Sequence, residues 1–262
     1  MKKITLQGIL YDEKSSFLKG PALAPPKIRS LYNSPSANYF AENGLEILPE
    51  SFDDKGDFEV RTYFDIEKLT YENIKSNNPL LTLGGDHSIT YPVIKAFNKV
   101  HGAVDLIHID AHADLYDLFE GDKYSHACPF ARIMEEKLIN RLIQIGIRTL
   151  SIHQREQSEK YGVEIFEMSQ LHKLNSLELK NPVYISLDMD ALDPAYAPGV
   201  SHHEPGGLST REVLNIIQAI EVPILGADIV EYNPTRDIND MTGMVCAKLI
   251  REIASKMSQN NS

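Results

Sequence analysis

The sequence predicts one α/β domain over residues 1–262, in which helices cover both faces of an open, largely parallel β-sheet. The chain has 262 residues and 42% hydrophobic content, which is enough for one extended core. Short apolar runs alternate with longer amphipathic segments, as in doubly wound folds. Several of the runs are unbroken stretches of Val, Ile and Leu, which is typical of strands buried on both faces of a parallel sheet.

The apolar runs predict eight strands, and the amphipathic segments predict six helices. The strands are expected at residues 3–9, 45–48, 79–83, 104–109, 142–147, 163–166, 182–187 and 223–230. The helices are expected at residues 65–77, 88–100, 126–138, 151–161, 210–221 and 238–257. Ser88 and Thr210 are suitable N-caps for two of these helices. Residues 17–40 and 49–60 show no clear period, so we expect loops there.

The overall composition limits the kinds of molecule that the protein is expected to bind. A net charge of -11 repels nucleic acid and anionic membranes but permits a cationic small substrate. No apolar run approaches the ~18 residues of a membrane span, and the apolar stretch near the N-terminus is too short for a signal peptide. Two cysteines do not make a disulfide framework. These features predict a reduced, cytoplasmic protein.

Three polar clusters follow predicted strands: GGDHS at residues 84–88, DAHAD at 110–114 and DMD at 188–190. In open parallel sheets, ligands bind beyond the carboxyl ends of the strands, so the clusters are expected to meet. Alternate side chains of an extended backbone share a face, so each cluster can converge on one point. The predicted ligands are His87, Asp110, His112, Asp114, Asp188 and Asp190. These four carboxylates and two imidazoles are enough for two divalent ions.

The ligand types favour a hard metal ion. A lone aspartate after a strand is usually a turn or helix cap, but repeated i, i+2 spacing with a further histidine makes that alternative weak. The set is rich in oxygen, with about one imidazole per ion, which favours Mn²⁺, with Fe²⁺, Co²⁺ or Ni²⁺ as substitutes. A structural zinc site would more often use thiolates. We therefore expect two Mn²⁺ ions per chain.

Five motifs, in order along the chain, resemble the ureohydrolase family of arginases and agmatinases. They are GGDHS, DAHAD, SLDMDALDPAYAPGV, EPGGLS and ADIVEYNP, and the resemblance covers roughly residues 80–256. The segments FEGDKYSHACPFARIMEEK and APGVSHHEPGGLSTREVLNII are most similar to plant-type arginases. The resemblance implies a three-layer α/β/α fold with a largely parallel eight-stranded sheet, a binuclear manganese centre, and a homotrimer or homohexamer.

The resemblance also implies a role for each site residue. One ion would be held by His87, Asp110, Asp114 and Asp188, and the other by Asp110, His112, Asp188 and Asp190. His126 matches a histidine thought to shuttle protons, and Glu231 matches a glutamate that holds the guanidinium group. Asp114 is counted with these two as catalytic.

These assignments predict hydrolysis of L-arginine to urea and ornithine by a water activated between the two ions. Asp122 and His202 are expected to contact the substrate together with His126 and Glu231. Asp122 stands where plant-type sequences usually have asparagine, and an extra acid would favour a bare amine over a carboxylate. Agmatine, other guanidino compounds and arginine within a peptide therefore remain alternatives.

Two alternatives come from other functional classes. The first is an amide hydrolase of the related deacetylase fold, which would hold a single metal ion. The second is a catalytically silent relative that acts as a binding subunit, which the loss of a ligand would signal. The sequence leaves open the role of His203 and of roughly the first 60 residues.

Overall fold

In the computed structural model, which describes residues 3–259, eight strands form one sheet in which all strand pairs are parallel. The strands are β1 (Ile4–Leu10), β2 (Phe52–Glu59), β3 (Leu80–Leu83), β4 (Asp105–Ile109), β5 (Arg141–Ile147), β6 (Glu164–Glu167), β7 (Val183–Asp188) and β8 (Ile224–Val230). Their order across the sheet is β2-β1-β3-β8-β7-β4-β5-β6. The predicted fold class is confirmed.

Helices accompany the strands along the described chain. They are α1 (Ala24–Tyr32), α2 (Asp65–Ile74), α3 (Thr90–His101), α4 (Pro129–Glu135), α5 (Ile152–Tyr161), α6 (Thr210–Gln218) and α7 (Met241–Gln259). Short 3-10 helices cover Pro21–Leu23, Pro49–Ser51, His87–Ile89, Met168–Ser176, Met189–Ala191 and Pro234–Arg236. Within residues 3–259, none of the helices has both the length and the apolar character to cross a membrane.

Two apolar cores lie on opposite faces of the sheet. Ile107 and Ile185 belong to a core shared with α1, α6 and α7. Their strand neighbours Leu106 and Tyr184 point to the other face and join a core with α2, α3 and α4. This alternation explains why the strand sequences are apolar without interruption, since both faces are buried. The prediction of one domain over residues 1–262 stays a prediction, and residues 1–2 and 260–262 lie outside the described residues.

The predicted strand at residues 45–48 is wrong, because this segment only forms an isolated antiparallel bridge between Phe40 and Glu46. The second strand is instead β2, which lies in the segment 49–60 that was expected to be a loop. Its sequence, FDDKGDFE, is acidic and contains glycine. As an edge strand, β2 pairs on one side only, so it does not need the apolar pattern that marks the central strands.

Helix α1 is the other element that the sequence pattern missed, since residues 17–40 were expected to be a loop. Two prolines, Pro25 and Pro26, obscure the helical pattern, although proline is tolerated in a first turn. The buried residues Ile28, Leu31 and Tyr32 nevertheless follow a helical spacing.

The predicted N-caps are each displaced. Asp86, not Ser88, caps the 3-10 helix that leads into α3, and its carboxylate accepts a hydrogen bond from the backbone N–H of Ser88. Ser209, not Thr210, caps α6 through a capping box with Glu212. Helix α4 begins at Pro129, so the expected helix start at residue 126 is wrong and His126 lies in the preceding loop.

The sheet order brings the polar clusters together. Strands β3, β8, β7 and β4 are consecutive neighbours, so the loops at their carboxyl ends lie side by side. Gly85, in the loop after β3, approaches the backbone of Tyr11 so closely that a Cβ atom would lie 1.6 Å from the Tyr11 carbonyl oxygen. Only glycine permits this contact, which holds the β3 loop against the end of β1.

Candidate metal centre and active site

His87 stands at the centre of the first half of the site. Its Nδ1 atom lies 3.1 Å from one carboxylate oxygen of each of three aspartates, Asp110, Asp114 and Asp188. The ring is fully buried, and Nδ1 is a buried polar atom without a hydrogen bond of acceptable geometry. One N–H cannot satisfy three carboxylates, so the four groups face a common point between them.

A hydrogen bond to Ser186 holds Nε2, the other nitrogen of the His87 ring. Nε2 of His87 lies 3.0 Å from the Ser186 hydroxyl, which in turn donates to Asp228 at 2.7 Å. Because the hydroxyl proton is used on Asp228, the serine oxygen accepts from the Nε2–H of His87. In the neutral ring this places the lone pair on Nδ1, toward the three aspartates.

His112 defines the second half of the site. Its Nδ1 atom lies 3.1 Å from Oδ2 of Asp190 and 3.5 Å from Oδ1 of Asp110. Asp110 therefore turns one oxygen toward His87 and the other toward His112. The second cluster is tied by a hydrogen bond of 2.7 Å from the backbone N–H of Asp190 to Oδ1 of Asp188.

Convergence of these side chains comes from turns rather than from the extended backbone that the spacing suggested. Asp114 has a φ of 49°, in the left-handed region, and Asp188 leads directly into the 3-10 helix Met189–Ala191. Glu231, after β8, also has a positive φ of 62°. Non-glycine residues in this region cost about 1–3 kcal/mol each and cluster at functional sites.

Burial of like charges shifts the pKa values of the cluster. Burial, followed by the charges of Asp190 and Asp110, raises the pKa of Asp188 well above its usual range. Burial and the charge of Asp110 also raise the pKa of Asp190 to about 6, against the attraction of His112. Burial disfavours a charged His87, but the surrounding carboxylates of Asp110, Asp114 and Asp188 outweigh burial and raise its pKa well above normal. The cluster therefore attracts positive charge.

The donor set fits divalent metal ions. Among residues 3–259, two groups of side chains have ligand atoms within 4.8 Å of one another: His87, His108, Asp110 and Asp114 form one, and Asp110, His112 and Asp190 form the other. Adjacent ligands of an octahedral ion held at about 2.1 Å lie about 3.0 Å apart, close to the 3.1 Å spacing around His87. Asp110 belongs to both groups, so it is placed to bridge two ions.

Glu231 and His126 form a hydrogen-bonded pair beside this cluster. Oε1 of Glu231 accepts from the backbone N–H of His87 at 2.9 Å and lies 3.2 Å from Nδ1 of His126. Nε2 of His126 contacts the Ser16 hydroxyl at 2.8 Å. Burial disfavours a charged His126, but its hydrogen bond to Glu231 and nearby acids raise its pKa to about 9. Burial raises the pKa of Glu231, but His126 more than offsets this and lowers it.

A cavity of about 230 Å³ opens onto these groups. His202 lines it, and its ring stacks on His126 with the ring centres 5.4 Å apart. The residues that line the cavity are Ser16, His112, Asp114, Tyr116, Phe119, His126, Ala127, Thr149, Gln154, Asp188, Asp190, His202 and Glu231.

Asp122 does not belong to this lining, so the structure does not bring it to the cavity as the sequence predicted. Its carboxylate forms an ion pair of 2.6 Å with Lys14 and accepts from the backbone N–H of Tyr124. The reason is local, because a carboxylate in a tight turn caps the backbone two residues on. His203 is exposed and contacts the Pro198 carbonyl.

Several residues around the site were missed by sequence reasoning. His108 is fully buried, and its Nε2 lies 2.7 Å from Asp110. A signal was present, because His108 lies two residues before Asp110 and so extends the i, i+2 pattern by one step. Ser16 carried no signal, since a loop conformation brings it to the cavity, and Gln154 reaches the cavity from the first turn of α5.

Comparison with known proteins gives one consistent family. Residues 2–255 match the model of the arginase family. The chain is 48% identical to arginase 1, mitochondrial, of Arabidopsis thaliana, with 97% of this chain and 81% of the relative covered. It is 47% identical to arginase 2, chloroplastic/mitochondrial, of the same plant, with 97% and 80% covered. The solved arginase of Medicago truncatula superposes with a TM-score of 0.90 at 44% identity, covering 98% of this chain and 87% of that one.

The names of these relatives correct one expectation. They place the Arabidopsis proteins in mitochondria or chloroplasts. The cytoplasmic location predicted from composition is therefore wrong. Composition could not reveal this, because the net charge and cysteine content of a protein do not distinguish the cytoplasm from the interior of an organelle.

Proposed function

The chain belongs to the arginase family of metal-dependent ureohydrolases, and on that premise we propose that it hydrolyses free L-arginine to urea and ornithine. The observation that supports this choice is the contrast within one cavity between an inner acidic cluster and an outer wall without permanent charge. The inner part suits a cationic guanidinium group, and the outer part suits a zwitterionic amino-acid head.

The proposed centre holds two Mn²⁺ ions, with Fe²⁺, Co²⁺ or Ni²⁺ as substitutes. Each ion would be held by one imidazole and carboxylates, the first by His87, Asp110, Asp114 and Asp188 and the second by Asp110, His112, Asp188 and Asp190. Two such ions supply, when bound, a nucleophile derived from water at neutral pH and charge compensation for the buried aspartates. Asp114 lines the cavity as well as the cluster, which supports its place among the catalytic residues.

Glu231 orients the guanidinium group in this proposal. Its carboxylate is buried, and Oε1 is held by the backbone N–H of His87, so it cannot turn away from the cluster. The lowered pKa of Glu231 keeps it charged at neutral pH. A planar guanidinium can donate two parallel N–H groups to a carboxylate, which aligns its carbon with the reactive centre.

His126 supplies the proton that the leaving amine needs. With its pKa raised to about 9, the ring is protonated at neutral pH and donates from Nδ1 to Glu231. Its other N–H faces Ser16, at the wall of the cavity. A proton stored beside the guanidinium-binding carboxylate can pass to the amine as the C–N bond breaks.

The outer wall favours arginine over agmatine. Outside the acidic cluster and His126, the lining consists of Ser16, Tyr116, Phe119, Ala127, Thr149, Gln154 and His202. Burial lowers the pKa of His202 and keeps it neutral at pH 7. A bare ammonium, as in agmatine, would find no carboxylate on this wall. Asp122, the acid that seemed to favour such a substrate, is already paired with Lys14.

Gln154 gives the wall a donor for a substrate carboxylate. The backbone N–H of Ser151 can only donate, and it lies 3.2 Å from Oε1 of Gln154, so the oxygen of the amide faces the start of α5. That orientation leaves the Nε2 amide group of a cavity-lining side chain for the ligand. Arginine offers it a carboxylate oxygen, whereas agmatine has no acceptor at that end.

Urea release from four compounds tests the proposal: L-arginine, agmatine, 4-guanidinobutyrate and a blocked peptide that contains arginine. With Mn²⁺ added, we expect the highest kcat/KM for L-arginine, complete loss after chelation, and recovery when Mn²⁺ is returned. An acetyl-lysine peptide serves as the control for deacetylase-like amide hydrolysis. Absence of urea from all four compounds with the metal-loaded protein would refute a ureohydrolase function, and cleavage of the acetylated peptide would favour the alternative class.

The homotrimer or homohexamer implied by family resemblance remains part of the proposal. Light scattering coupled to size-exclusion chromatography distinguishes it from a monomer of 29.5 kDa.

A further inference from the structure

Two buried polar residues lie directly behind the carboxylate that joins the two halves of the cluster. His108 on β4 and Gln144 on β5 are register partners in the parallel sheet. Both side chains are fully buried among the strands. Buried polar groups in a sheet need specific hydrogen-bond partners, so the partners of these two side chains indicate which atoms donate and which accept.

The directions of their hydrogen bonds follow from the groups involved. The carbonyl of Ala113 can only accept, so the Gln144 atom that lies 2.6 Å from it is the amide nitrogen Nε2. The same nitrogen lies 2.9 Å from Nδ1 of His108. Since an amide nitrogen only donates, Nδ1 of His108 accepts, and the ring proton of the neutral imidazole is on Nε2. That Nε2–H points at Oδ2 of Asp110, 2.7 Å away.

We propose that Gln144 and His108 are positioning residues for the metal centre: Gln144 selects the tautomer of His108, and the Nε2–H of His108 fixes the Asp110 carboxylate as a shared ligand. The inference rests on the proposed function, because it presumes that Asp110 binds metal. Asp110 is then held at both oxygens, by His108 at Oδ2 and by the backbone N–H of His112 at Oδ1, 2.6 Å away. A carboxylate pinned at both ends keeps one lone pair directed to each half of the site.

Phe130 completes the arrangement. Its ring lies against His108 with ring centres 3.9 Å apart and a tilt of 31°, and it also contacts His87 edge-on at 5.2 Å. The imidazole of His108 therefore cannot rotate about its Cβ–Cγ bond without displacing a buried phenyl ring. His108 lies close to the ligand atoms of the first group. Its Nε2 atom, which faces Asp110, carries a proton and therefore has no lone pair for a metal ion.

The test measures Mn²⁺ binding by the full chain rather than activity. Electron paramagnetic resonance of free Mn²⁺ during titration of metal-depleted protein gives both dissociation constants. His108→Leu removes the donor, whereas His108→Gln keeps an N–H near the position of Nε2. Gln144→Glu presents an oxygen that cannot donate to both His108 and Ala113. We expect His108→Leu and Gln144→Glu to weaken Mn²⁺ binding about 10- to 100-fold, and His108→Gln to remain within about threefold of wild type.

Gln7→Glu is the matched control. Gln7 is also a fully buried glutamine on a central strand, but its amide donates to Thr70 and Thr82 and lies on β1, with three strands between it and β4. We expect wild-type Mn²⁺ affinity in this variant. If His108→Leu does not fold, the comparison of Gln144→Glu with Gln7→Glu decides. Equal losses in those two variants would mean general strain in the sheet and overturn the inference.

Two further outcomes would overturn it. Wild-type affinity for both ions in His108→Leu would show that Asp110 needs no orienting donor. Loss of one ion in His108→Gln would show that His108 is itself a ligand. These outcomes are distinct from failure of the proposed function, which would appear as two bound Mn²⁺ ions in the wild-type protein without urea release from any guanidino compound.

Discussion

The inner and outer walls of the cavity differ in how the chain builds them. The inner wall consists of charged side chains at the carboxyl ends of β3, β4, β7 and β8, which are neighbours in the sheet. The outer wall consists of uncharged side chains from loops and from the start of α5, such as Ser16, Tyr116 and Gln154. In the proposed function, the strand ends carry the chemistry at the guanidino carbon, whereas the loops select the rest of the substrate.

The residues of the inner wall also destabilise the folded protein, whereas those of the outer wall do not. Asp114 and Glu231 adopt positive φ angles, and buried aspartates such as Asp188 have raised pKa values. Such strain persists only where the surrounding structure over-determines it. We therefore expect substitutions in the inner wall to abolish or strongly reduce turnover, and substitutions in the outer wall to change selectivity.

Asp110→Asn should have the largest effect. Asp110 belongs to both groups of ligand atoms, so its loss should weaken the binding of both ions. The loss of affinity should exceed about 100-fold, the upper end for a residue that only supports a ligand. Metal analysis after gel filtration should find fewer than two Mn²⁺ per chain, with urea release near background. Asp117→Asn is the control, since Asp117 lies in the same loop but is half exposed and paired with His153. Retention of two ions and full turnover in Asp110→Asn would contradict the shared role.

His126→Asn should lower kcat by about 10²- to 10⁴-fold, the range of a general acid or base. The reason is loss of the proton held between Glu231 and Ser16. Metal analysis should still find two Mn²⁺, which separates this effect from that of Asp110→Asn. The exposed His203 provides a matched substitution, His203→Asn, with unchanged kcat. Wild-type turnover in His126→Asn would remove this residue from the mechanism.

Glu231→Gln should reduce kcat/KM for L-arginine by roughly 30- to 700-fold, which corresponds to about 2–4 kcal/mol for a buried charge pair. The amide retains an oxygen for the backbone N–H of His87, so the loop after β3 should stay in place. Steady-state kinetics of Glu231→Gln beside those of the exposed Glu221→Gln measure the effect. An unchanged kcat/KM would exclude Glu231 from guanidinium binding.

Gln154→Glu should change selectivity more than catalysis. Glutamate keeps the oxygen that accepts from Ser151, so the capping of α5 is preserved, but it replaces the amide donor with a negative charge. We expect kcat/KM to fall about 5- to 30-fold for L-arginine, equivalent to about 1–2 kcal/mol, and to rise for agmatine. Gln157→Glu, one turn along the same helix, is the control. The same ratio of the two substrates in Gln154→Glu and wild type would remove Gln154 from substrate selection.

Asp122→Asn should have the smallest effect, with less than about a twofold change in kcat/KM for either substrate. Its ion pair with Lys14 is partly exposed, and pairs of this kind contribute about 0–1 kcal/mol. Competition between L-arginine and agmatine measures the ratio directly. A tenfold shift toward L-arginine would restore the interpretation that Asp122 faces the substrate.

The sequence predicts the inner wall well and the outer wall poorly, for a physical reason. Asp110, His112 and Asp188 follow apolar strands, and a parallel sheet places its strand ends on one edge whatever the loops do. The contact of Ser16 with His126 depends instead on a loop conformation that has no period in the sequence. The edge strand β2 was missed for a similar reason, since a strand with one neighbour does not need two apolar faces.

The location of anomalous scattering from a crystal grown with Mn²⁺ tests whether Asp110 is shared by two metal ions. We expect two manganese peaks in the cluster, with the Asp110 carboxylate between them and His87 and His112 on opposite sides. A single peak, or two peaks that do not share Asp110, would contradict it.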